Sequence, residues 1–161
     1  MTKKLLYLLT SFCISYVVTA QVMPNQIDDF QDTTTQGWFE SGMSPNPPVN
    51  VADAGPMGVG DYCLRDDSDN TLSNNSPGAR MVARNASQWA GDYSGQGIIA
   101  IKFDARAVGS NLTLRVAMNG DGGSISSSTG VAVNVGTGWN QVVIPISVAD
   151  MVTVVSNVGP G

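Results

Sequence analysis

Histidine is missing from all 161 residues, which removes the commonest general base, the Ser-His and Cys-His dyads, and His-ligated zinc or iron together. Cysteine is nearly missing as well. Of the two present, Cys13 falls in the N-terminal apolar run, so its removal leaves Cys63 without an intrachain partner and excludes a disulfide framework. Cys63 stands between Tyr62 and Leu64 in a strand-like piece and reads as a buried, inert thiol. Glutamate occurs once among thirteen acidic residues, as Glu40; the rest are Asp, mostly in turn contexts such as RDDSDN and NGDGG, where Asp bonds its own backbone. That distribution argues against the paired carboxylates of glycoside hydrolysis. Neither GxSxG nor GxxxxGK[ST] occurs, and the Gly-rich GVGD and GDGG pieces open no predicted helix, so a phosphate cradle is not expected.

The first twenty residues, MTKKLLYLLTSFCISYVVTA, set Lys3 and Lys4 ahead of an apolar run and end on small or β-branched residues. This is the pattern of a secretory signal peptide, with cleavage expected between Ala20 and Gln21. The run is shorter than the ~20 residues of a spanning helix and is interrupted by Thr10, Ser11 and Ser15, so no membrane insertion is expected after leader removal. No lipobox surrounds Cys13. Residues 21–161 are then expected to form a single domain. Taking Lys3 and Lys4 from the eight basic residues leaves six against thirteen acids, a net charge of −7. Such a chain lacks the basic footprint that nucleic acid or an anionic membrane requires.

Period-two alternation recurs, while helical periodicity is absent after the leader, so the chain is expected to be all-β. In IIAIKFDAR, the residues Ile99, Ile101, Phe103 and Ala105 face one way. In NLTLRVAMNG, the inward set is Leu112, Leu114, Val116 and Met118. VAVNV aligns Val131, Val133 and Val135, and WNQVVIPI aligns Val142, Ile144 and Ile146. AVGSN, NGDGGSISSSTG and GTGW read as turn-rich joints between antiparallel neighbours. Toward the N-terminus, shorter strands are expected around residues 37–40, 61–64 and 80–84, between long Gly/Pro/Asp-rich loops.

Aromatic rings offer the clearest binding chemistry, because a flat face stacks on sugar C–H surface at low entropic cost. Trp38 and Trp139 border strands and read as packing residues. Trp89 and Tyr93 flank Gly-Asp in the loop QWAGDYSGQG, where either could stack on a ligand or cover the core. The RDDSDN run places Asp66, Asp67 and Asp69 close together, but without the Gly and closing Glu of an EF-hand loop it reads as a solvated acidic turn.

Taken together, DDFQDTTTQGW, GPMGVGDYCL, RMVARNASQWAGDYSGQGIIAIKFDAR, NLTLRVAM and GTGWNQVVIPI resemble the laminin-B-like or galactose-binding-like β-sandwich module of secreted bacterial proteins. The most specific element is R-x-V-x-x-N-x-x-x-W-x-G-D-Y, from Arg80 to Tyr93. The resemblance implies an antiparallel jelly-roll sandwich over about residues 27–157, and a closing strand beyond Gly161, so the domain is expected to be C-terminally incomplete. Related carbohydrate-binding modules place a Glu after the Phe of the first strand as a calcium ligand. Gln31 follows Phe30 here, bringing an uncharged carbonyl, so no cofactor is expected; Asp29 and Asp32 are the positions where calcium would be sought. The resemblance further implies a non-catalytic, exported module that binds polysaccharide or extracellular matrix. Trp89 is expected as a lid, Tyr93 as the more exposed ring, Asp92 as an acceptor and Arg84 as a donor to sugar hydroxyls. A structural surface protein without a small ligand, or a sandwich-fold polysaccharide lyase, are the alternative functions.

Overall fold

The computed structural model describes residues 21–40, 46–68 and 81–156. The leader, Asp69, Arg80 and residues 157–161 lie outside the described residues.

Valine and isoleucine alternation builds the interior. In β10 (Asn140–Pro145), Val142 and Ile144 are 1% and 0% exposed while Val143 between them is 47% exposed, the signature of a strand with one buried face. It pairs antiparallel with β5 (Ala100–Ala105), Asn140 opposite Ala105 and Pro145 opposite Ala100. Ile146 N–H donates to Ile99 O at 2.9 Å just past Pro145, a residue that needs no N–H at its own non-hydrogen-bonded position. A second ladder joins β6 (Leu112–Leu114) to β9 (Val131–Val133). Val133, Val142, Ile144 and Ala107 form a core cluster, and Phe103, Ala105, Leu112, Leu114, Val116 and Val131 pack against it.

The other described strands form smaller antiparallel groups. β1 (Phe39–Glu40) pairs with β4 (Ala83–Arg84), and β2 (Val49–Val51) with β3 (Cys63–Arg65). β7 (Ala117–Gly120) and β8 (Gly123–Ser127) form a hairpin across Asp121-Gly122, a dipeptide suited to a two-residue turn. β11 (Met151–Ser156) joins the other side of β8, with a register shift between Thr153 and Val155. A 3-10 turn at Val148–Asp150 leads into it. The described chain is thus all-β with antiparallel pairing throughout, and among the described residues no helix is long and apolar enough to cross a membrane.

Four local expectations change. Ile99 and Val135 extend their alternating runs in sequence, yet they are 71% and 45% exposed because each lies beyond the end of its ladder. NLTLRVAMNG is divided between two ladders, its first half pairing with β9 and its second with β8. The joint NGDGGSISSSTG contains strand β8, whose serines satisfy their hydroxyls locally: Ser126 Oγ donates to Val116 O at 3.2 Å. VNV after the proline pair forms β2.

Candidate functional site

Three segments distant in sequence meet at one carboxylate. The N-terminal segment carries Asp28, Trp38 precedes β1, and Trp89 lies in the loop between β4 and β5. Both indole N–H groups donate to Asp28 Oδ2 at 2.6 Å, and Gln88 Nε2 approaches the same carboxylate at 3.4 Å. The two rings stand 6.3 Å apart between centroids, tilted by 47°. Both are half-buried, and this geometry lies within the range of favourable aromatic pairs.

Backbone and amide contacts hold these segments in register. Val22 N–H donates to Ala90 O at 2.9 Å, anchoring a valine side chain that is fully buried. Gln26 Nε2 reaches Gln88 O at 2.8 Å, Asn85 Nδ2 reaches Gln36 O at 2.9 Å, and Gln88 Nε2 also donates to Gln36 O. Asn85 Oδ1 accepts from both the N–H and the hydroxyl of Ser87, shaping the turn that delivers Trp89. On the opposing strand end, Gly37 has φ +78°, and a Cβ there would lie 2.9 Å from Ser87 Oγ and 3.2 Å from Gln88 Oε1. The glycine in the GW pair therefore permits both a left-handed turn and a close approach.

Tyr93 is half-buried, as is Trp89. Its hydroxyl donates to Trp89 O at 2.7 Å, and burial pushes its phenol pKa upward. Trp89 and Tyr93 are thus brought together as parts of one folded loop. Asp92 is exposed and closes the next turn by accepting from Gly95 N–H at 2.8 Å. Arg84 is exposed on β4, its guanidinium 4.8 Å from the centroid of the Phe39 ring. Among the described residues no ion pair joins Arg84 to Asp92. Trp139 is half-buried under the guanidinium of Arg106, 5.2 Å from its ring centroid.

The expected calcium positions are used differently. Asp29 Oδ1 accepts from Gln31 N–H at 3.1 Å, and Asp32 Oδ1 accepts from the N–H and hydroxyl of Thr34 at 2.9 and 2.8 Å. The Thr34 N–H holds the Asp32 carboxyl below its ordinary pKa, with the Thr34 hydroxyl adding to the effect. Gln31 points its amide nitrogen at Asp61 Oδ1, 2.8 Å away, placing a donor where a cation would need an acceptor. These residues do not fit a calcium ion. Among the described residues, no group of three or more His, Cys, Asp or Glu side chains is arranged to hold a metal.

Comparisons with protein-family models, characterised proteins and solved structures find no match to this chain. The chemistry must be read from its own residues. Two further groups stand out. Cys63 is a buried free thiol whose pKa burial raises. Asp66, just past β3, has its carboxyl pushed up to about 6 by burial, with repulsion from Glu40 and Asp67 adding to it. In sequence, Glu40 resembles any alternating polar position, being one acid in a two-residue strand. The one available signal was its rarity, as the single glutamate of the chain.

Proposed function

We propose that the protein is an exported, non-catalytic binding module of galactose-binding-like β-sandwich type, acting on polysaccharide or extracellular matrix. The observation that carries this reading is the Trp38–Trp89 pair fixed by Asp28. With both indole N–H groups engaged, what remains for a ligand is ring face, which suits the C–H surface of a sugar rather than a polar group. The rings are pre-positioned by their shared acceptor, so little side-chain freedom is lost on binding. Exposed Asp92 and Arg84 supply an acceptor and a donor in the neighbouring loop and strand, and Tyr93 supports the loop from below through the Trp89 carbonyl.

A structural role without a small ligand is favoured by a different surface. Val152 and Val154 on β11 are 49% and 63% exposed, and no basic side chain lies in this strand. Exposed apolar edges of this kind recruit other chains. Titration of neutral and acidic polysaccharides against intrinsic tryptophan fluorescence separates the two readings. Binding that perturbs the emission and weakens in Arg84→Ala or Asp92→Ala supports the glycan module. Self-association without any polysaccharide response supports the structural reading, and release of unsaturated or reducing ends would replace both with a lyase.

A further inference from the structure

The segments that build the Trp38–Trp89 pair carry charge of one sign. Neither residues 21–64 nor residues 85–101 contain a Lys or Arg, while Asp28, Asp29 and Asp32 follow closely on the first stretch and Asp92 lies on the second. Asp29 belongs to the same network: its Oδ1 accepts from Gln36 Nε2 at 3.4 Å, and Gln36 O accepts from Asn85 and Gln88. Arg84, on β4 between the two stretches, holds its guanidinium over Phe39. Asp28 acts on the rings directly. Both indole N–H groups point at its Oδ2 from 2.6 Å, and donation to a charged acceptor pushes electron density back into each ring. The ring faces, already negative by their quadrupole, become more so.

We infer that the glycan taken by this pair is cationic, a polysaccharide whose sugars carry free ammonium groups, which rests on the pair being the module's glycan surface. A cation over either ring face is drawn both by the quadrupole and by the Asp28 charge beside it, and an anion is repelled by both. The sugar need not turn its ammonium into the site. The C–H bonds next to a charged nitrogen carry part of its charge, so the apolar face of an amino sugar stacks more strongly than that of a neutral one. Uronate and sulfate polymers meet the reverse sign, on a chain whose formal net charge is −5.

The test titrates the protein with hexamers of glucosamine, glucose and glucuronate at about pH 5.5, where aspartate is ionised and the sugar amines are protonated, followed by tryptophan emission and calorimetry. Glucosamine hexamer is expected to bind at least ~10-fold more tightly than glucose hexamer, a preference that shrinks in about 0.5 M NaCl, with glucuronate hexamer weakest. A polycation also gathers diffusely on an acidic protein, so location is tested with two variants that remove the same charge. Asp28→Asn is expected to cut the preference to about threefold or less while leaving glucose hexamer within about twofold of wild type; Asp104→Asn, on the exposed face of β5, should leave the preference unchanged. Circular dichroism checks that both variants fold, and the order of the three hexamers on wild type decides even if Asp28→Asn does not. Glucose or glucuronate hexamer bound as tightly as glucosamine hexamer, or equal losses in the two variants, overturns the inference and leaves the glycan module standing. Binding of none of the three overturns both.

Discussion

Replacing Asp28 by alanine withdraws the one acceptor shared by Trp38 and Trp89, two residues that sit 10 and 61 positions away in sequence. A hydrogen bond to a charged group contributes about 1.5–3 kcal/mol, so two indole donors set a range of roughly 3–6 kcal/mol. The rings are half-buried, so water can reach part of the vacated space and the cost falls toward the lower end, ~3 kcal/mol. For a domain of this size that corresponds to a midpoint lowered by about 6–12 °C. Asp28→Asn keeps an oxygen for the indoles but not the charge, and should cost roughly half as much, since charge-assisted bonds are about twice as strong as neutral ones. Urea denaturation followed by far-ultraviolet circular dichroism measures both without relying on the tryptophans themselves, whose emission should shift red in the native Asp28→Ala protein. A loss below about 1 kcal/mol in Asp28→Ala, or equal losses in the two variants, would refute the idea that the carboxylate organises this cluster.

Two other expectations follow from the same cluster. Gly37→Ala combines a left-handed φ of +78° with a Cβ 2.9 Å from Ser87 Oγ, and should destabilise by at least ~1 kcal/mol in the same urea assay; an unchanged midpoint would mean that the GW turn relaxes freely. Tyr93→Phe removes the bond to Trp89 O and should cost about 1 kcal/mol at neutral pH. Because burial raises the native phenol pKa above its unfolded value, the wild-type contribution is fully present below about pH 10 and is lost as pH rises through the raised native pKa. Alkaline denaturation should therefore be steeper in wild type than in Tyr93→Phe, and parallel curves would remove Tyr93 as the cause.

Side-chain alternation is a local property of the chain, and it determined which faces of the principal strands are apolar. Val142 and Ile144 alternate in sequence and are both buried, because successive strand residues point to opposite faces wherever a ladder continues. Where the ladder ends, the same pattern loses its meaning, as the exposed Ile99 and Val135 show. Serine-rich β8 carries too little alternation to be legible, and is a strand because β7 and β11 flank it with pairing partners. The aromatic loop was legible as a unit, from the spacing of Trp89, Gly91, Asp92 and Tyr93. Its organisation was not, because the acceptor that orients it belongs to the polar DDF segment, where Asp28 looks like any solvated turn residue. Likewise, nothing local distinguishes Asp66 from the other aspartates of the chain. Composition and periodicity determined an all-β protein poor in catalytic side chains, since both act residue by residue. Tertiary structure decided which carboxylates are solvated, paired with tryptophan or buried without a partner, since burial and hydrogen bonds between segments exist only after distant segments meet.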